Sequence, residues 1–390
     1  MLLLAVTALI ATPAAAQVEV QPLAAPDYFS VGAAETGLPR DLWRGTSPGI
    51  ATAVIPRLAT GALSPATARL ARQVLATGAA GPGDAGHDPA MAAARADALI
   101  ALGRPRTAWT TLERAQGLQG SATLSRVAAE AALLSGQDAA ACRIAEQLTV
   151  DRGEIYWLRL RAYCQALAGQ TDAAQLTLTL ASEKSRDPAI SRLIGAVIAG
   201  EGDPGAASLR NGLDLALSRK LALDLTEAAK TAPPAVLAAL DPAPETFDRP
   251  PGEGLGARLA REQGRAAEVD ALFVGAVAAD AKTKPSYEAA VLVAAALGAP
   301  FTDAQRATLA RFEMPAGSAA PAKLAGLDLA AGAGLKGETA LLALDLVLDA
   351  GGKPLKTPDA ARVIAALNRV GLTDAARDLA DEVLTALQLP

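Results

Sequence analysis

The chain has 390 residues, of which 51% are apolar but only 3% aromatic, and its 20% of charged residues leave a formal net charge of −5. Acidic and basic residues are mixed throughout and no basic block occurs, which excludes the clustered cations that nucleic-acid binding needs. The single histidine, His87, excludes His-rich zinc sites and confines Ser-His-Asp or Cys-His chemistry to one position, so no catalytic, cofactor-binding or metal-ligating residue is assigned and no enzyme activity is expected.

The chain opens with an apolar run, Leu2 to Ala11, followed by Pro13 and the small residues Ala14, Ala15 and Ala16. This is the pattern of a secretory signal over residues 1–16, with a mature chain starting at Gln17. No Lys or Arg precedes the run, and an uncleaved anchor is the alternative, but the run is far shorter than the roughly 20 residues that span a bilayer. No cysteine follows it, so no lipid-modified N-terminus is expected. The reading places the mature protein in the periplasm or outside the cell. Residues 17–63 are rich in Pro and Gly and read as an irregular arm leading to short helices, with Trp43 a packing anchor. Ser64 followed by Pro65 signals a helix start, predicting a helix to Ala76. His87 then falls in a Gly- and Pro-rich loop beside Asp88, either as a solvated turn residue or as a general base.

Residues 64–230 carry an internal repeat. Gly-x4-Ala recurs as Gly103 with Ala108, Gly136 with Ala141, Gly169 with Ala174 and Gly202 with Ala207, the glycines stepping by 33 each time. Seven positions before each glycine stands another small residue, Ala96, Ala129, Ala162 and Gly195. The glycine is suited to ending the first helix of a pair in a left-handed turn, and the small residues to the crossing of the two helices. Helical apolar spacing surrounds these anchors, as in Trp157, Leu160, Cys164 and Leu167. The pattern resembles the tetratricopeptide repeat family over roughly residues 90 to 210. It departs from that family where an aromatic is expected, at Leu99, Ala132, Gln165 and Ile198, and where a proline is expected, at Gly120, Gly153 and Arg186. The resemblance implies an all-α hairpin-repeat solenoid, a right-handed superhelix whose surface binds another protein. The family's peptide-binding residues do not carry over.

Cys142 and Cys164 fall on two amphipathic segments joined by the turn Val150 to Gly153. In an antiparallel hairpin the residues standing at equal height average to the turn centre, and the midpoint of 142 and 164 is Gly153. The thiols should therefore face each other, and export favours a disulfide over two buried thiols. Beside them, Tyr156, Trp157, Arg159, Arg161 and Tyr163 form the densest cationic and aromatic cluster in the chain, read either as a hot spot for a partner carboxylate or peptide or as packing around the disulfide.

Residues 231–256 contain Pro233, Pro234, Pro242, Pro244, Pro250 and Pro251 and are predicted to be a linker, with room for one short helix at 235–240. Residues 257–390 resume helix pairs, ending with 358–370 and 373–387 around Gly371 and Ala376, and a Pro- and Gly-rich gap at 315–323 makes this half less regular. Gly252 to Gly256 is glycine-dense but has no preceding strand and no Gly-Lys-Ser or Gly-Lys-Thr anywhere to match it, so nucleotide binding is not expected. The acidic residues Asp138, Asp172, Asp303 and Asp374 sit at helix starts, where they favour exposed amides rather than form a catalytic pair. The expected function is an exported scaffold or adaptor binding envelope proteins or peptides, the alternative being an enzyme or auxiliary factor acting on cell-wall glycan.

Overall fold

The structure, a computed structural model, describes residues 27–33, 35–200, 203–242, 247, 254–261 and 265–389. The segment read as a signal, 1–16, lies outside the described residues, as do Gly202 and much of the proline-rich linker. Among the described residues the regular structure is helical, and the one β-bridge is an isolated parallel pairing of Ala33 with Thr77. No helix among them is long and apolar enough to cross a membrane.

The first region runs through α1 (Pro48–Val54), α2 (Pro65–Ala76), α3 (Pro89–Ala101), α4 (Pro105–Leu112), α5 (Ala122–Leu134), α6 (Asp138–Gln147), α7 (Ile155–Leu167), α8 (Thr171–Lys184) and α9 (Pro188–Ala199). Proline at the first turn, with its φ preset and no amide to leave unpaired, opens α2, α3 and α9. The side chains of Ser64, Asp88 and Asp187 cap these three starts by accepting backbone N–H bonds. At the other end, Gly103, Gly136 and Gly169 stand at φ of 76°, 75° and 72°. The amide following each glycine bonds the carbonyl five residues back, as from Arg104 to Leu99, Gln137 to Ala132 and Gln170 to Gln165, all at 2.8 Å. Gly103, Gly136 and Gly169 thus end α3, α5 and α7 in left-handed turns, and Ala96, Ala108, Ala129, Ala141, Ala162 and Ala174 are fully buried where the paired helices α3/α4, α5/α6 and α7/α8 meet.

The fourth repeat departs from the pitch. It is Gly200, at φ 72°, that ends α9, and Ala207 lies in an irregular stretch between residues 203 and 211 rather than on a helix. Pro204, Gly205, Asn211 and Gly212 crowd this stretch with poor helix formers. The next helix starts only where the Asn211 side chain accepts the Asp214 N–H at 2.9 Å. That helix, α10 (Gly212–Lys220), turns back onto α5 and α9, and every residue from Gly212 to Ser218 is buried. After α11 (Thr226–Ala229), α12 (Pro234–Leu240) rests on α3 and α4. The short helix expected in the linker is present, and its seat shows that this part of the linker packs as an element of the body.

The second region comprises α13 (Leu255–Ala260), α14 (Arg265–Ala278), α15 (Lys284–Ala296), α16 (Asp303–Leu309), α17 (Pro321–Gly332), α18 (Lys336–Asp349), α19 (Thr357–Arg369) and α20 (Thr373–Ala386). The expected gap at 315–323 is shorter than predicted, because Pro321 serves as the first residue of α17. The same glycine caps recur at Gly298, Gly334 and Gly371.

The two regions meet along a seam formed by the N-terminal arm, in which α1 and α2 pack on α18 and α2 also packs on α20. Gly337 N–H donates to Leu42 O at 2.9 Å, Ser47 N–H to Glu338 Oε2 at 2.7 Å, and Ala66 N–H to Glu382 Oε1 at 2.5 Å. Arg57 pairs with Asp345 and, at 2.8 Å, with Asp349, while Lys323 reaches both carboxylates at 2.6 and 2.5 Å. The arm is itself pinned from below by Arg95, which is fully buried and donates to the carbonyls of Tyr28, Val31, Leu75 and Thr77 at 2.6–3.1 Å while lying 4.8 Å from the Phe29 ring centre. Burial brings the Arg95 guanidinium down to about 10, against the pull of Asp27. Trp43, the expected packing anchor, is 1% exposed and meets Phe29 edge to face at 5.6 Å.

Candidate interaction groove

The two cysteines are bonded, with sulfurs 2.04 Å apart, joining α6 to α7 as the hairpin geometry predicts. The aromatic and cationic residues that follow do not share one exposed patch. Trp157 and Tyr163 are buried, and the Tyr163 hydroxyl donates to Asp138 Oδ2 at 3.0 Å. Burial and the Asp138 charge push that phenol well up. Arg159 reaches Ser185 O at 3.2 Å and Asp187 at 3.6 Å, which ties α7 to the start of α9. Arg161 folds back onto Trp157 O and Arg152 O at 3.3 and 2.5 Å, bracing the turn before its own helix. His87 closes a short 3-10 turn, Gly83–His87, and is exposed.

Tyr156 faces a different way. It helps line a groove of about 520 Å³ with Ala90, Ala93, Ala94 and Asp97 of α3, Thr123, Arg126, Val127 and Glu130 of α5, and Asn211. The alanines keep the floor low, so a bound chain could approach the α3 backbone. Arg126 is exposed, and its guanidinium lies 5.2 Å from the centre of the Tyr156 ring. Glu130 accepts from the Gly212 N–H and from the Tyr156 hydroxyl at 3.4 Å, so it anchors the start of α10 at the end of the groove. Burial raises the Glu130 carboxyl, with the Gly212 and Tyr156 hydrogen bonds and the Arg126 charge opposing. Burial likewise raises Asp97, again opposed by Arg126. Tyr156 is pushed well up by burial and by the Glu130 charge.

The remainder of this face is covered by the chain itself. Arg219 on α10 donates to Leu133 O at 2.5 Å and lies 3.7 Å from Asp138, and α12 sits over α3 and α4. Sequence reasoning singled out Tyr156 but missed Asp97, Arg126, Glu130 and Asn211. A signal was present: Ala90, Ala93, Ala94 and Asp97 repeat the i, i+3, i+4, i+7 spacing of Thr123, Arg126, Val127 and Glu130, so the two helices present matching stripes. Among the described residues no group of three or more His, Cys, Asp or Glu side chains is placed to hold a metal ion. Comparison with protein-family models, with curated proteins and with solved structures returns no match for this chain.

Proposed function

We propose that the chain is an exported scaffold or adaptor, with helix pairs stacked as a tetratricopeptide-like superhelix over the first region, and that it binds a segment of another envelope protein along the groove of α3, α5 and α7. The observation that carries this reading is the groove itself. A floor of alanines runs beside an exposed guanidinium while the neighbouring carboxylate is occupied by the protein's own backbone, which suits a partner segment bearing small apolar side chains and an acidic residue. The disulfide fits an oxidising compartment, and the apolar run at residues 2–11 supplies the address.

The test is photocrosslinking in living cells from a probe placed at Thr123, with a second probe at the exposed Val277 on α14 as control. A partner captured from position 123, absent from position 277 and lost in an Arg126→Glu background, is the expected result. Identical captures from both positions, or none from position 123, would overturn the reading.

A further inference from the structure

A second cavity, of about 650 Å³, lies at the seam, where the arm, α2 and α20 meet. This volume is within the range that encloses a small ligand. Its floor is prebuilt. The hydroxyls of Thr36 and Thr77 are 2.6 Å apart, Gln73 Nε2 donates to Thr36 O at 3.1 Å, and the Thr77 hydroxyl donates to Gln73 O at 2.7 Å, all three residues being buried. The wall beside them is closely packed, since a Cβ on Gly32 would strike the Gly78 backbone.

The charges around this floor are of both signs on both sides. Glu35 and Arg40 stand exposed on the arm with no ion-pair or hydrogen-bond partner among the described residues. Across from them, Arg69 lies 3.5 Å from Asp378, and Asp374 accepts from Arg377 at 2.6 Å. Phe247 adds an apolar ring. A simple anion entering here would meet the carboxylates of Glu35, Asp374 and Asp378. A simple cation would meet the guanidiniums of Arg40 and Arg69, and a neutral polyol would leave Glu35 and Arg40 as they were. A ligand carrying one charge of each sign, held apart by a short backbone, meets complementary groups at both ends.

We propose that this cleft binds a short zwitterionic peptide of two or three residues, with Arg40 receiving its carboxylate and Glu35 its ammonium group. This site is separate from the groove on α3, α5 and α7 and stands whether or not that groove binds a partner.

The experiment is titration calorimetry and thermal melting of the purified protein with trialanine, N-acetyl-trialanine, trialanine amide and inorganic phosphate. Trialanine should bind and raise the melting temperature, and capping either end should weaken it at least tenfold. Arg40→Gln should weaken trialanine at least tenfold while leaving the amide form unchanged, and Glu35→Gln should do the same with the acetylated form as its unaffected partner. Both side chains are at the exposed rim, so each variant's unliganded melting temperature should equal that of the parent chain. The absence of heat and of a melting shift with millimolar trialanine, equal binding of capped and uncapped peptides, or phosphate binding best of the four would each overturn the assignment.

Discussion

Gly103, Gly136, Gly169, Gly200, Gly298, Gly334 and Gly371 each close a helix in the left-handed region, and α10 closes the same way on an alanine. Ala222 sits at φ 51°, with its own N–H on Arg219 O and the following amide on Ser218 O, both at 3.0 Å. A left-handed alanine crowds its Cβ against the next carbonyl at a cost of roughly 1–2 kcal/mol, of which a glycine recovers part after its own loss of chain entropy. Ala222→Gly should therefore raise stability by about 0.5–1 kcal/mol in urea unfolding, the side chain being exposed and free of packing duties. Glu130 makes a pH-dependent contribution. Its carboxyl is raised in the folded state, so what it adds to stability is complete below its unfolded value and is lost as pH rises through the folded one. Gln at 130 keeps an acceptor for the Gly212 N–H without the charge. Between pH 5 and 7.5 the urea midpoint of the parent should fall relative to that of Glu130→Gln, the opposing carboxylates Asp187 and Asp349 being common to both chains.

At the scale of elements, the covalent tie between α6 and α7 closes a loop of 22 residues. The chain-entropy account values such a loop at roughly 3 kcal/mol, so the double replacement Cys142→Ser with Cys164→Ser should lower stability by about that amount in chemical unfolding. Pairing of these cysteines was legible because a hairpin turn and two amphipathic stripes fix which residues stand opposite. The start of α2 was legible for an equally local reason, since Ser64 with Pro65 carries the cap and the preset φ within two residues, a signal that Asp187 with Pro188 repeats at α9. The three regular repeats could be read because glycine conformation is decided by its own backbone. The break at residues 203–211 was less visible, although Pro204, Gly205, Asn211 and Gly212 announce it, because alanines at 206 and 207 continue the pattern through residues that do not continue the helix. The seat of α10 could not be read at all. Its sequence sets Asp214 and Ser218 among Leu213, Leu215, Ala216 and Leu217 and so shows no single apolar face to say which helices bury it.

At the scale of the molecule, the same limit applied to the seam. Residues 17–63 read as an arm, and local signals in them give no hint that α18 lies beneath, nor do those of α2 reveal α20. The clearest mark of the contact is Gly337, where a Cβ would stand 2.8 Å from Leu42 O, Thr46 Oγ1 and the Trp43 ring. Gly337→Ala should push the arm off α18, costing about 1–3 kcal/mol as overpacking does. Amide hydrogen exchange should report the loss as faster exchange over residues 41–61, with the α7/α8 hairpin unchanged. The groove residues fall between these cases, since each stripe is visible on its own helix while their alignment across two helices depends on how α3 packs on α5. The seam also sets the order in which the molecule can be completed. Its hydrogen bonds join residues 291 and 316 positions apart, and contacts of such separation form late because the intervening chain must first be gathered. A chain synthesised from its amino end must therefore hold Leu42, Trp43 and α2 without their final cover until α18 and α20 have emerged.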